Sequence, residues 1–313
     1  GQLWYNTTDN VARYRIPNLL ASWRTANNLN QSKSNMAAAG VQTNTIVAGG
    51  YTGTAAVNTV ELYDGTNWTE TADLNTSRYG LVGAGTYTAA IAFGGSPTTG
   101  ATEQWNGSAW TEVADLNTAR HSFSGGGDAY TNAIGYGGAP GQKDVTETWN
   151  GSSWTEVADL NTARGSTGGN AASSTDAICV GGETPSYSGV VETWDGSAWT
   201  ETTDLNTARA SSAVAGESAL AISAGGLTSG SSTTANSEIW NGSSWTETNN
   251  LSSSRASNMG TGTSSLALSS GASSAPGTRS ASTEEWNQQQ PVGAWTTGGA
   301  INTARFAIGG FGI

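Results

Sequence analysis

The sequence predicts an all-β fold, a seven-bladed β-propeller occupying residues 1–313 as one domain, and three observations predict it. A Trp recurs seven times, at positions 23, 68, 110, 154, 199, 245 and 295, about 45 residues apart on average. Ten residues after each Trp stands a cation: Lys33, Arg78, Arg120, Arg164, Arg209, Arg255 and Arg305. Between these marks the chain repeats a Gly pair closing an apolar run and an Asn-Gly or Asp-Gly turn, and no helical period competes.

One unit reads as four strands. Strand a follows the cation and is small, as in Ser122-Phe123-Ser124-Gly125-Gly126-Gly127. Strand b is apolar and ends in the Gly pair, at 49–50, 94–95, 137–138, 181–182 and 225–226, with Gly271-Ala272 as the sixth. Strand c carries Glu-x-aromatic: Glu61/Tyr63, Glu103/Trp105, Glu147/Trp149, Glu192/Trp194, Glu238/Trp240 and Glu284/Trp286. The Asn-Gly or Asp-Gly that follows suits a type I′ hairpin, which needs positive φ at both central residues. Strand d then begins at the repeated Trp. Small residues on a and bulky ones on c and d match blades that converge on an axis and diverge outward.

These marks place blades at approximately 33–74, 78–116, 120–160, 164–205, 209–251 and 255–301. A seventh, composite blade is expected from both chain ends. Leu3–Tyr5 would supply b, Val11–Tyr14 c, Ser22–Thr25 d, and the C-terminal Arg305–Ile313 a, over residues 1–29 plus 305–313. Closing the ring in this way removes exposed edge strands.

Composition supports a packed core. Charged residues are 12% of the chain, against about 25% in ordinary soluble domains. The 43 Gly and many Ser, Thr and Asn resemble a disordered composition, but 13 Trp do not. Each buried Trp contributes roughly 4–6 kcal/mol. A net charge of −12 with only 12 dispersed Lys and Arg argues against nucleic-acid or anionic-membrane partners. No run of 18 apolar residues exists, so no membrane insertion is expected, and no basic-then-apolar signal peptide is present. The start at Gly1 suggests processing or a piece of a longer protein. Cys179 is the one cysteine; it has no disulfide partner and reads as a buried, inert thiol.

The order Gly pair, Glu-x-aromatic, Trp, Leu, Arg resembles the kelch repeat over nearly the whole chain. That resemblance implies a propeller, but kelch propellers include protein-binding modules, oxidases and lectin-like proteins, so it fixes fold more than function. The opening Gly1-Gln2-Leu3-Trp4-Tyr5-Asn6-Thr7-Thr8-Asp9-Asn10, with the Ser/Thr/Asn/Gly-rich, Lys-poor composition, resembles short β segments of bacteriophage virion and tail-fibre proteins.

No constellation for catalysis emerges. The copper site that the resemblance to galactose-oxidase-like enzymes would require needs two His, and His121 is the only one. No Cys/His cluster suits zinc. A Ser-His-Asp arrangement would have to use His121, which directly follows the repeat cation Arg120. The carboxylates mostly hold repeat positions rather than one-off ones, which disfavours glycoside hydrolysis. The protein is therefore expected not to be an enzyme, with no cofactor and no metal.

The periodic Glu and Arg read as structural. Each Glu is expected to pair with the Arg of the following blade: Glu61 with Arg78, Glu103 with Arg120, Glu147 with Arg164, Glu192 with Arg209, and Glu238 with Arg255. Function falls to the b–c connections, whose lengths vary on the face that carries the Asn-Thr-Ala-Arg turns. Tyr51, Lys143, Tyr187 and Arg279 are the least ordinary residues there. The expected partner is a host-surface glycan or a neighbouring structural protein, in a virion or extracellular setting. A secreted or surface bacterial adhesin is the alternative, and a glycan-processing enzyme a further one.

Overall fold

The computed structural model describes residues 2–6, 11–15, 21–229, 232–275 and 278–288. Residues 21–288 build a propeller whose blades are four-stranded antiparallel sheets, with the a strands innermost. Blade 1 comprises Ala37–Val41, Asn44–Tyr51, Ala56–Tyr63 and Trp68–Thr71. Blade 2 comprises Val82–Thr86, Ala89–Phe93, Thr102–Trp105 and Trp110–Val113. Blade 3 comprises Ser124–Ala129, Asn132–Tyr136, Thr146–Trp149 and Trp154–Glu156. Blade 4 comprises Gly168–Ser173, Asp176–Glu183, Tyr187–Trp194 and Trp199–Glu201. Blade 5 comprises Ala213–Gly216, Ala221–Ala224, Ser237–Trp240 and Trp245–Thr248.

The ring closes at six blades, not the seven expected. Blade 6 takes its inner strands from Met259–Gly262, Leu266–Ala275 and Thr278–Asn287, and its outer strand from Ser22–Ala26 near the N-terminus. Trp286 sits opposite Trp23, the register that pairs Trp105 with Trp110 in blade 2. Ser22–Ala26 is thus a d strand, as its Trp predicts, but of the sixth blade. The physical reason lies at the axis. The a strand of blade 6 packs beside that of blade 1, so the inner circle is complete with six a strands. Seven Trp-to-cation marks therefore exceed the inner strands by one, and counting marks overcounts blades. The surplus mark, Trp295 to Arg305, and the expected a strand 305–313 lie outside the described residues.

The unit formed by the terminal segments contains, in its described residues, one antiparallel hairpin, Gln2–Asn6 with Val11–Arg15. These are the strands expected as b and c of a seventh blade. They pair with each other, but Ser22–Ala26 pairs with Thr278–Asn287 instead.

The c–d connections also differ from the two-residue turn expected. Trp105 pairs with Trp110, so four residues intervene, and only Gly107 adopts positive φ. Asn106 Oδ1 accepts from the N–H groups of Ser108 (3.0 Å) and Ala109 (3.0 Å), so the side chain rather than a second left-handed residue makes the turn.

The core fills the gaps between blades. Trp105, Trp149, Trp194, Trp240 and Trp286 are at most 2% exposed, and each indole N–H donates to a carbonyl in its own blade's a–b connection. The d-strand Trp reaches sideways instead. Trp154, Trp199 and Trp23 donate to Thr102, Thr146 and Ser237, hydroxyls on the c strand of the preceding blade.

Candidate functional site

The periodic Glu and cations pair in a buried layer, but none of the expected partners meets: each pairing is displaced by one repeat. The pairs are Lys33–Glu61 (3.3 Å), Arg78–Glu103 (2.9 Å), Arg120–Glu147 (3.3 Å), Arg164–Glu192 (2.9 Å), Arg209–Glu238 (2.6 Å) and Arg255–Glu284. Each Glu thus joins the cation that opens its own blade, not the next one. The reason is the Gly pair. Arg78 must cross strand b to reach strand c, and a Cβ on Gly95 would stand 3.3 Å from Arg78 Cβ and 3.4 Å from its Cδ. With no side chain in the way, Arg78 donates to the carbonyls of Gly94 and Ala101 and to Glu103 Oε1.

The cation's main chain, meanwhile, ties blades together. Gly50, Gly95, Gly138, Gly182 and Gly226 donate their N–H groups to the carbonyls of Arg78, Arg120, Arg164, Arg209 and Arg255, and Ala272 donates to Lys33, all at 2.8–3.1 Å. Burial pushes the Arg120 guanidinium down to about 10, opposed chiefly by Glu147, so it stays charged at neutral pH. Removing one partner of such a pair costs about 3–5 kcal/mol. This layer is scaffold.

Two residues beyond each cation the chain meets the axis. Asn35, Gly80, Ser122, Ser166, Ser211 and Ser257 all have positive φ, between 50° and 66°. Each N–H donates to the carbonyl of its counterpart in the preceding blade at 2.7–3.0 Å, so six bonds close a circle. Five non-Gly residues held in the left-handed region mark a place that the surrounding fold over-determines.

This circle is the centre of the face that carries the b–c loops, and around it the six-fold repetition breaks on one side. The residue after each cation pairs with the residue after each Gly pair: Ser34 with Tyr51, Tyr79 with Ser96, His121 with Ala139, Gly165 with Glu183, Ala210 with Leu227, and Ala256 with Ser273. The ring-bearing members, Tyr51, Tyr79 and His121, fall in blades 1 to 3. Tyr51 and Tyr79 lie with ring centroids 5.0 Å apart. Arg279, on the b–c hairpin of blade 6, places its guanidinium 5.2 Å from the Tyr51 ring centroid and donates to Ser273 Oγ at 3.1 Å. His121 Nδ1 is 3.1 Å from Ser122 Oγ, and burial lowers its pKa.

Of the four loop residues singled out from sequence, the fold therefore joins Tyr51 and Arg279. Lys143 and Tyr187 lie apart from them, Lys143 on the b–c connection of blade 3 and Tyr187 at the start of strand c of blade 4. The b–c loops of those two blades touch each other through Gln142 Nε2 and the Thr184 carbonyl (3.4 Å). Tyr187 lines an open cleft of about 670 Å³ with Glu183, Pro185, Asn206 and Thr228. Tyr79 was not singled out, although a bulky aromatic directly after a repeat cation is a visible departure. A second hollow, of about 580 Å³, lies on the axis among a strands and a–b hairpins.

Among the described residues no three His, Cys, Asp or Glu come together as a metal site, and no helix is long and apolar enough to cross a membrane. Cys179 is fully buried, and burial pushes its thiol up to about 11.

No protein-family model matches the chain, and no curated protein matches it. Among solved structures it is similar to that of YjhT, with a TM-score of 0.67 at 12% identity, covering 82% of this chain and 96% of that one. At that identity the likeness bears on architecture, and it agrees with the six sheets around one axis: the chain is a β-propeller.

Proposed function

We propose that the protein is a non-catalytic binding module, a kelch-type propeller associated with a phage virion or tail fibre. Its b–c loop face contacts a host-surface glycan or a neighbouring structural protein. The observation that carries this reading is the clustering of repeat-breaking side chains on that face. Other blades form the same ion pair and axial bond with Ser, Ala or Gly at the counterparts of Tyr51 and Tyr79. Yet Tyr51, Tyr79 and Arg279 converge beside the axial circle. A rigid scaffold that presents irregular side chains on one face is suited to recognition. Half-exposed tyrosines offer a flat apolar surface with a polar tip, which suits both saccharides and proteins. The phage association rests on the likeness of residues 1–10 and of the composition to virion β segments.

Two experiments test the reading. Screening the full chain on a glycan array should give saturable binding with no released product. Mass spectrometry of purified particles should find the chain at fixed stoichiometry. Turnover of a bound glycan, or absence from every particle fraction, would overturn the corresponding half.

A further inference from the structure

We infer that the glycan bound by this face is anionic, and that Arg279, seated on Tyr51, receives its carboxylate or sulfate. The inference rests on the proposal that the face binds a glycan and specifies which kind.

The argument begins with the cations. Among the described residues, Lys33, Arg78, Arg120, Arg164, Arg209 and Arg255 are committed to the Glu of their own blade, and Arg24 to Glu285. Among the described residues Arg279 and Lys143 meet no carboxylate, and both stand on the b–c loop face. In a chain of net charge −12, carboxylates outnumber cations by two to one, 24 to 12. A half-buried guanidinium left without one is therefore a departure that calls for an explanation.

Its hydrogen bonds leave the same gap. Arg279 Nη1 donates to Ser273 Oγ (3.1 Å) and to the Thr278 carbonyl (3.4 Å). Its Nε is buried with no acceptor, as are those of Arg78, Arg120, Arg164 and Arg209, and is out of a ligand's reach. Nη2 has no acceptor among the described residues. The side chain is thus held in place at Nη1 and by its stack on Tyr51, with Nη2 left to donate outward. The Nη2 of a positionally fixed guanidinium is a charge-assisted donor suited to an oxygen of a carboxylate or sulfate. Tyr79, 5.0 Å from Tyr51 on the side of blade 2, extends the aromatic surface along which a sugar ring would lie. Aromatic surface beside a fixed guanidinium is the donor set for a charged sugar, and a neutral one would leave Arg279 unanswered.

The test uses the intact chain and matched probes. Titrate it with trigalacturonate and with its fully methyl-esterified form, which has the same sugars without the charge. Run a sulfated galactan oligosaccharide against its desulfated form in parallel. At least one charged probe should bind tenfold or more tighter than its neutral twin, and which pair responds identifies the anion. Arg279→Met, which keeps the apolar stem, should abolish that preference with thermal unfolding unchanged. Arg279→Lys should keep part of it, and Tyr79→Ala should weaken charged and neutral probes alike. Equal affinity for charged and neutral twins overturns the inference while leaving glycan binding intact. A glycan array with no binding to any charged or neutral member overturns both.

Discussion

Tyr63 Oη donates to Glu285 Oε1 at 2.8 Å across the seam between blades 1 and 6. Glu285 is 3% exposed and also accepts from Arg24 Nε at 2.7 Å, on the N-terminal strand that completes blade 6. Both partners break the repeat. Tyr63 stands where blades 2 to 6 carry Trp, and Glu285 where blades 1 to 5 carry Leu, Gln, Thr, Thr and Ile. Burial, then the Glu285 carboxylate, push the Tyr63 hydroxyl up, so it remains a donor. The three residues join the one d strand supplied from the far end of the chain to its sheet and to the next blade. Tyr63→Phe removes a hydrogen bond to a buried charge and should lower stability by about 2 kcal/mol. The check is urea unfolding followed by Trp fluorescence; an unchanged midpoint would remove the seam role.

Two indoles lack the partner that the others have. Trp110 and Trp245 Nε1 are buried with no acceptor. The c-strand hydroxyl that serves Trp154 and Trp199 is Thr102 or Thr146. Its counterparts for Trp110 and Trp245 are Val60 and Val191, both fully buried. Val60→Thr and Val191→Thr should each supply the missing acceptor. The new hydroxyl proton has a carbonyl to meet at Asn58 or Gly189, as Thr102 has at Gly100 (3.3 Å). Relieving a buried orphan donor is worth about 1 kcal/mol. Differential scanning calorimetry should show a higher Tm for each variant and near-additive gains in the pair, since the sites are in separate blades. A loss in both would mean that the indoles tolerate their isolation better than an introduced hydroxyl.

Lys33 is the one repeat cation, among the described residues, that is not Arg. Its Nζ reaches the Thr59 carbonyl and Oγ1 (both 3.1 Å) and lies 3.3 Å from Glu61 Oε1, which has no hydrogen-bond donor. Burial lowers the Lys33 pKa, with Glu61 opposing. In blade 2 the guanidinium serves three carbonyls, of Gly94, Ala101 and Ala92, and the Glu together. Lys33→Arg should therefore raise the urea midpoint by the equivalent of about 1 kcal/mol, and Lys33→Met should lower it by about 3 kcal/mol. An Arg variant less stable than the parent would mean that blade 1 is shaped for the ammonium.

Much of this was legible in the sequence, and the misses have physical causes. The Trp, the cation, the Gly pair and the Glu each marked their strand correctly, because each answers a local need of the blade. Which Glu meets which cation was not legible. Glu61 and Arg78 are 17 residues apart and Lys33 and Glu61 are 28, yet the longer separation is the shorter distance, because Arg and Glu share a sheet across a Gly-cleared strand. Blade number failed because it is set by the packing of a strands at the axis, while Trp23 and Trp295 both advertise a d strand. At the candidate site, Tyr51 and Arg279 stood out from sequence, but their meeting depends on ring closure between blades 6 and 1. Tyr79 carried its own signal in the position after Arg78, where the other described blades place Ser, His, Gly, Ala and Ala.

His121 gives the stability a pH dependence near neutrality. Its folded pKa is lowered from 6.5 by burial alone. The unfolded chain therefore binds a proton that the folded protein resists. The sign follows: its contribution is fully present above about pH 6.5 and is lost as pH falls through that value toward the folded pKa. Asp64 and Asp195, lowered from 3.8 by their turn hydrogen bonds, lose their contribution only at more acid pH, so the windows separate. Unfolding midpoints measured from pH 7.5 to 5 should decline for the parent and stay flatter for His121→Gln. Parallel declines in the two proteins would assign the titration to another group.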